Sequence, residues 1–244
     1  SLLMAEAGTG AAHGTVIATE HQSHGRGRQN RVWVAPLGGS LAVSVLWRFG
    51  KGPAALSGLS LAVGVAIVRA LRELGAADVG LKWPNDVLWR GCKLAGTLIE
   101  VQGDALGPSA AVIGIGINVW LSDTDRSVID QPVTDLETVV GHEFDRNLLL
   151  SAVLRALHSM LVEFEVSGFD SLRDEWTSAH VYERRAVSIA MPDGTRMSGV
   201  AQGVASDGAL LIDTGRGTQK LHGGEVSLRP LEGTQPANPH RVTS

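Results

Sequence analysis

The sequence predicts an α+β protein: a mixed sheet with packed helices, followed by a small C-terminal antiparallel β barrel. Two long segments, 53–74 and 146–164, repeat apolar residues at the helical period, and short valine- and isoleucine-rich runs lie between them. From residue 185 onward, short β-rich runs alternate with the turn sequences Pro-Asp-Gly and Ser-Asp-Gly. We therefore expect a main domain at 1–184, a small barrel at 185–231 and a polar tail at 232–244.

Each element of the main domain has its own signal in the sequence. Residues 2–7 are apolar and end at a glycine, which predicts a short helix, whereas 14–20 are rich in valine, isoleucine and threonine and predict a strand. A glycine- and arginine-rich loop is expected to continue to residue 39. Pro53 opens the first long helix and Gly75 stops it. The remaining predictions are strands at 40–47, 80–83, 86–89, 94–101 and 110–119 and helices at 146–164 and 171–178.

The C-terminal barrel is predicted from five short runs of β-forming residues. They are separated by glycine-containing turns, as expected when neighbouring strands pair antiparallel. The predicted strands are 186–190, 199–205, 209–213, 219–221 and 226–228.

Composition and charge limit the classes of function. The chain has 21 lysines and arginines against 25 aspartates and glutamates, a net charge of −4, which argues against a general nucleic-acid binder. A single cysteine, Cys92, excludes an internal disulfide and any multi-cysteine metal cluster. The uncharged run 52–68 is shorter than the roughly 20 residues of a membrane span and predicts a buried helix. With no signal peptide visible, we expect a cytoplasmic protein without membrane contact.

The most informative segment is 25–33, which reads Gly-Arg-Gly-Arg-Gln-Asn-Arg-Val-Trp. Its glycines allow a sharp turn close to a ligand, and its arginines present planar cations suited to carboxylate or phosphate. The aromatic ring at Trp33 could stack on a flat group beside that anion. The alternative is a solvated surface loop with its arginines in water.

Three further clusters accompany this loop. Residues 82–86 read Lys-Trp-Pro-Asn-Asp, and the alternative interpretation is a hairpin turn without a function. Residues 93–96 read Lys-Leu-Ala-Gly, in which the glycine leaves room beside the lysine, although an exposed strand-end lysine is the alternative. Residues 114–118 read Gly-Ile-Gly-Ile-Asn, which lacks the spacing of a dinucleotide fingerprint and indicates close packing under a ligand.

Together, the four clusters and their spacing resemble the biotin protein ligases, and 223–229 (Gly-Gly-Glu-Val-Ser-Leu-Arg) resembles the end of that family's barrel. The resemblance covers roughly residues 2–231. It implies an ATP-dependent enzyme that forms biotinyl-5′-AMP and pyrophosphate, then transfers biotin to a lysine of a biotin carboxyl carrier domain. Biotin and ATP are the implied substrates, with Mg²⁺ entering on the ATP phosphates rather than in a dedicated protein site.

The resemblance also implies roles for individual residues. Lys93 and Arg28 hold the biotin carboxylate and the adenylate phosphate, and Asp86 is a hypothetical orienter or base for the acceptor lysine. Catalysis is therefore assigned to Lys93, Arg28 and Asp86. Biotin binding is assigned to Gln22, Gly25, Arg26, Gly27, Arg28, Lys93 and Gly96. ATP binding is assigned to Arg28, Arg31, Trp33, Asn85, Lys93 and Asn118.

One family feature has no counterpart in this sequence. The Ser-Thr-Asn segment that helps bind the biotin ureido ring precedes the family's first helix, and only Ser1 stands near that point. This implies a shortened sequence or weaker biotin affinity. Because nothing precedes the catalytic domain, we also expect no DNA-binding domain and no repressor role.

Alternative functions remain open at this stage. A lipoate ligase shares the fold and the adenylate strategy, and a non-catalytic biotin- or carrier-binding module is the non-enzyme alternative. A nucleic-acid module ranks third because the positive charge is confined to one loop. A homodimer is possible, but the sequence does not locate its interface.

Overall fold

The computed structural model describes residues 2–28, 31–105, 107–191, 194–222 and 227–230. Its strands are β1 (Val16–Thr19), β2 (Gln22–Arg26), β3 (Val32–Ala35), β4 (Ser40–Phe49), β5 (Gly80–Lys82), β6 (Asp86–Trp89), β7 (Cys92–Gly103), β8 (Ser109–Asn118), β9 (Ala186–Ala190), β10 (Arg196–Val204), β11 (Leu210–Asp213), β12 (Thr218–Leu221) and β13 (Ser227–Pro230). Its α-helices are α1 (Leu2–Thr9), α2 (Leu59–Glu73), α3 (Asp123–Ser127), α4 (Leu136–Val140), α5 (Arg146–Ser167) and α6 (Arg173–Ala179).

The main sheet has six strands in the order β1-β4-β8-β7-β6-β5. All neighbouring strands in it pair antiparallel. Among the described residues, parallel pairing enters only through two isolated bridges, Leu81–His180 and Lys93–Val133. The predicted α+β architecture is thus confirmed, and the sheet is mixed only through these bridges.

The alternation of β8 separates the core from the functional face. Ile113, Ile115 and Ile117 are at most 3% exposed and join the large core with α2 and α5. Successive side chains of a strand point to opposite faces, so Gly114 and Gly116 lie on the other face. That face therefore has a floor made largely of backbone.

Helix α2 is the central core helix, and it packs on β7 and α5. Pro53–Glu73 has the length and composition of a membrane span, yet 67% of its most apolar window is buried within the fold. The predicted single helix 53–74 is divided in two. A 3-10 turn covers Pro53–Leu56, and α2 begins after Gly58, whose left-handed φ of 82° is open to glycine.

Helix α1 covers part of the glycine-lined face of the sheet, on the side opposite to α2. Leu3 and Ala7 pack against Leu46 and Val112 there, in a second, smaller apolar cluster.

The structure also shows three features that the sequence analysis did not predict. The loop expected to run to residue 39 contains the β2–β3 hairpin, and helices α3 and α4 lie between β8 and α5.

The C-terminal region is an open five-stranded antiparallel sheet, in the order β12-β11-β10-β9-β13. The predicted closed barrel is wrong, because β12 and β13 occupy opposite edges and do not pair among the described residues. Closure requires tilted, staggered strands, and these two edge strands have four described residues each. The sheet joins the main domain where Trp83 Nε1 donates to the Gly208 carbonyl at 3.0 Å. Residues 223–226 and the predicted tail lie outside the described residues.

Candidate active site

A cavity of about 1200 Å³ opens on the glycine-lined face of the main sheet. All four sequence clusters contribute to its lining, although they come from the hairpin, the β5–β6 turn, β7 and β8. Arg28 and Lys93, separated by 65 positions in the chain, both line it. Of the predicted site residues, only Gly25 is absent from the lining, and it lies within the hairpin wall. The lining members are Gln22, Arg26, Gly27, Arg28, Arg31, Trp33, Asn85, Asp86, Lys93, Gly96 and Asn118.

Lys93 and Asp86 form a partly enclosed ion pair in this cavity. Lys93 Nζ lies 2.6 Å from Asp86 Oδ1, and the two side chains are 16% and 14% exposed. The register explains the contact, because Asp86 is the cross-strand partner of Gly96. A Cβ on Gly96 would stand 3.0 Å from Lys93 Cε and 3.1 Å from its Nζ. The glycine therefore leaves the space in which the lysine reaches the carboxylate.

The β2–β3 hairpin brings Arg28 to the same region. Arg28 Nη1 donates to Asn85 Oδ1 at 3.4 Å, and Asn85 Nδ2 donates in turn to the Thr97 carbonyl at 2.7 Å. Burial lowers the pKa of the Arg28 guanidinium and Arg31 lowers it further, whereas Asp86 raises it. Arginine stays charged in proteins. The site therefore holds a permanent cation that is partly shielded from water.

Backbone contacts fix the shape of the hairpin. A Cβ on Gly25 would lie only 2.3 Å from the Trp33 carbonyl oxygen, so the two strands approach closely only with glycine at this position. Gly27 N donates to the Arg31 carbonyl at 2.7 Å and closes the turn. The Trp33 indole lies over Gly116, where a Cβ would be 2.6 Å from the ring, and Lys93 Nζ is 5.6 Å from the ring centroid. The aromatic ring therefore lies over Gly116, and the Lys93 ammonium lies beside it over Gly96.

Arg26 pairs with a different carboxylate of the cavity lining, Glu100. Its Nη2 donates to Glu100 Oε1 at 3.3 Å on β7, with both side chains partly exposed. This contact ties the hairpin to the main sheet. Arg26 was predicted to lie over a bound intermediate, and that role stays a prediction.

Sequence analysis missed two cations that line the cavity, Lys82 and Arg229. Burial, together with the nearby cations Arg229, Lys93 and Arg31, lowers the pKa of Lys82 to about 8, against the opposing effect of Asp86. The motif 82–86 contained Lys82, but no pattern distinguished it from a turn residue. Arg229 lies in the C-terminal sheet, and only the fold brings it to Lys82.

Asn118 has a clear structural environment. It is 3% exposed, and its Nδ2 donates to the Thr134 carbonyl at 3.0 Å and to the Lys93 carbonyl at 3.4 Å. It therefore ties the segment after α3 to the strand that carries Lys93. Its predicted contact with ATP stays a prediction.

Comparison with known proteins identifies the family. A model described as the Biotin/lipoate A/B protein ligase family matches residues 8–118, and one described as the Biotin protein ligase C terminal domain matches 185–229. The bifunctional ligase/repressor BirA of Escherichia coli (strain K12) is 36% identical over 219 residues, covering 90% of this chain and 68% of that protein. The chain belongs to the biotin/lipoate A/B protein ligase family.

Two further members agree with this assignment. The biotin--[acetyl-CoA-carboxylase] ligase of Mycobacterium tuberculosis (strain H37Rv) is 34% identical over 229 residues, covering 92% of this chain and 83% of that protein. The structure of the biotin protein ligase from Aquifex aeolicus in complex with biotin and ATP superposes with a TM-score of 0.77 at 28% identity, and covers 91% of each chain. The resemblance to biotin protein ligases drawn from the sequence is confirmed.

As a member of this ligase family, the chain was expected to take its metal with the nucleotide. Within the described ranges, no three His, Cys, Asp or Glu side chains gather as a metal site. Asp86 and Asp130 line the cavity as separate carboxylates. Mg²⁺ commonly uses one or two carboxylates together with substrate phosphates. Its entry on the ATP phosphates stays a prediction.

Proposed function

We propose that the protein activates biotin with ATP as biotinyl-5′-AMP and transfers the biotinyl group to a lysine of a biotin carboxyl carrier domain. The domain organisation proposed with it is a catalytic unit at 1–184 and a smaller unit at 185–231. The acceptor carrier domain, Mg²⁺ delivered with ATP and a cytoplasmic location complete the proposal.

The observation that carries this proposal is the concentration of positive charge in one cavity of an acidic protein. Six cationic side chains and three acidic ones line it, although the chain as a whole has a net charge of −4. Burial is the main cause of the lowered pKa of Lys82, and repulsion from neighbouring cations adds to it; a bound polyanion relieves that repulsion. The cationic side chains are Arg26, Arg28, Arg31, Lys82, Lys93 and Arg229.

The first reaction needs this charge. A carboxylate oxygen of biotin attacks the α-phosphorus of ATP, a new P–O bond forms, and the bond to the β-phosphate oxygen breaks to release pyrophosphate. Two anions must approach, so cations that meet both of them lower the barrier. Arg28 and Lys93 are assigned to the carboxylate and the α-phosphate. Lys82, Arg31 and Arg229 supply further charge for the departing pyrophosphate.

The second reaction needs a neutral amine. A free lysine has a pKa near 10.4, so its deprotonation at pH 7 costs about 4–5 kcal/mol. The carboxylate of Asp86 faces the cavity beside Lys93 and can orient the acceptor amine or take its proton. The amine nitrogen then attacks the biotinyl carbonyl carbon, an amide bond forms, and AMP leaves.

The test supplies α-labelled ATP with either biotin or lipoate, and then adds a biotin carboxyl carrier domain. We expect a biotin-dependent labelled adenylate, followed by biotinylated carrier and released AMP. Lys93→Met should abolish adenylate formation, whereas Lys220→Met, at an exposed position on β12, should leave it unchanged. Activity with lipoate and not with biotin would assign the substrate to the alternative. No adenylate with either acid would refute the ligase.

A further inference from the structure

We propose that Arg126 is a positioning residue, which holds segment 128–133 against the nucleotide side of the cavity. The segment lies between α3 and α4, and Val128, Ile129, Asp130, Gln131 and Val133 line the cavity. The inference rests on the proposed function, because it assigns the segment to nucleotide binding. Neither Arg126 nor its partner Asp135 lies in any of the motifs.

The guanidinium of Arg126 joins the end of this segment to the chain that precedes α3. Its Nε donates to the Leu121 carbonyl at 3.3 Å, before α3, and its Nη1 donates to the Val133 carbonyl at 3.2 Å. Its Nη2 pairs with Asp135 Oδ2 and reaches Thr138 Oγ1 at 3.4 Å. The Arg126 side chain therefore closes the loop between Leu121 and Val133 with hydrogen bonds from its Nε and Nη1.

Asp135 makes the closure specific. It is 1% exposed, and its carboxylate also accepts from Leu121 N at 3.0 Å and from Thr138 N at 2.8 Å, where it caps α4. A buried carboxylate that loses its cation is strongly destabilised. The Arg126–Asp135 pair is therefore required at this position, unlike an exposed ion pair, whose contribution is small.

The closed loop contacts the reaction centre through the backbone. Lys93 N donates to the Pro132 carbonyl at 2.9 Å, and Thr134 N donates to the Lys93 carbonyl at 3.0 Å. Asn118 adds a third bond, to Thr134 O. The segment thus forms an extra parallel pairing beside β7, so a shift of the segment would change one cavity wall while the hairpin wall stays in place.

The two walls differ in chemistry, which predicts a selective effect. The hairpin wall carries the arginines and Gln22, whereas the segment wall presents three aliphatic side chains, the Gln131 amide and the Asp130 carboxylate, and no cation. An aliphatic wall suits the face of a purine ring better than it suits a carboxylate or phosphate. Loss of the Arg126 contacts should therefore weaken nucleotide binding and leave biotin binding unchanged.

The test compares Arg126→Met with Arg155→Met, which removes a surface arginine paired to Glu73 with both side chains more than half exposed. For Arg126→Met we expect KM for ATP and the Kd for ATP by calorimetry to rise about tenfold, which corresponds to about 1.4 kcal/mol. The Kd for biotin without nucleotide, and kcat at saturating ATP, should stay within about twofold of wild type. Arg126→Lys, which keeps the charge and loses the planar fork, should fall between.

The outcomes separate this inference from the proposed function. Unchanged ATP binding in Arg126→Met, or equal weakening of ATP and biotin, would refute the positioning role even if the wild type is an active ligase. If the wild type forms no adenylate, the proposed function fails, and the calorimetric comparison of ATP binding still tests Arg126. If Arg126→Met does not fold, Asp135→Asn replaces it. That variant keeps an oxygen for the α4 cap, and it must show the same selective loss.

Discussion

Gly96→Ala should lower the rate of adenylate formation with little effect on stability. The added Cβ would lie 3.0 Å from Lys93 Cε and 3.1 Å from Nζ. Both contacts are tighter than ordinary van der Waals distances, which begin at 3.4 Å, so the ammonium must move by 0.3–0.4 Å. Because the atoms that yield are the end of a flexible side chain, the backbone has no need to move.

The magnitude follows from this displacement. A 1 Å misplacement of a catalytic group costs roughly 10²-fold in rate, so a shift of 0.3–0.4 Å predicts a loss of about four- to sixfold in kcat. The free energy of unfolding should change by less than about 1 kcal/mol, since alanine also restricts the unfolded chain. The Lys93–Asp86 pair, at 2.6 Å, has little slack to absorb the movement.

The assay measures pyrophosphate release at saturating biotin and ATP, together with urea unfolding. Gly50→Ala is the matched control, because Gly50 has nothing within 4 Å of a Cβ and no left-handed φ. We expect wild-type rates from this control. A wild-type kcat in Gly96→Ala would show that the position of Lys93 does not limit the reaction. A loss of stability of several kcal/mol would show that the glycine serves packing instead.

Three further predictions test other parts of the site. Asp86→Asn should slow transfer from preformed adenylate by about tenfold or more. The variant loses a charge-assisted contact to Lys93, worth about 1.5–3 kcal/mol, and the acceptor amine loses its carboxylate. Unimpaired transfer would rule out that role of Asp86. KM for ATP should rise as the pH passes through about 8, the pKa of the buried Lys82, because this side chain is protonated below that value and neutral above it. Lys82→Arg should flatten the pH profile of KM. A KM that does not change with pH in the wild type would contradict the assignment. Trp83→Phe removes the donor to the Gly208 carbonyl and should cost about 1–3 kcal/mol of unfolding free energy, read from urea midpoints; an unchanged midpoint would mean that this contact adds nothing to stability.

Local patterns predicted most of the regular elements. The strands at 86–89 and 186–190 agree with β6 and β9 at both ends, because apolar runs between turn residues define them fully. The β2–β3 hairpin was missed because Gln22–Arg26 is polar and carries no strand pattern. It is held instead by the close approach of Gly25 to the Trp33 carbonyl, a contact between backbones that residue types do not announce.

The candidate site was predictable where its residues form motifs and unpredictable where the fold assembles them. Lys93, Asp86 and Arg28 stand in recognisable clusters, and all three line one cavity, while their catalytic roles stay predictions. Arg229 joins Lys82 only because the C-terminal sheet packs against the β5–β6 turn. Arg126 stands in no motif, and two of its four partners are backbone carbonyl groups, which residue types do not reveal.

The register of β7 and β8 explains why two glycine motifs distant in sequence serve one site. Gly96 and Gly116 are direct cross-strand partners, and Gly114 pairs with Leu98 one step further along. Directly opposed glycines leave a strip of sheet without side chains. The Trp33 ring packs over Gly116, and the Lys93 side chain extends over Gly96. A side chain at Gly116 would displace the ring, and one at Gly96 would displace the ammonium. The depth of the cavity floor is therefore set by two absent Cβ atoms, and the positions of both the aromatic and the cationic group depend on the same pair of strands.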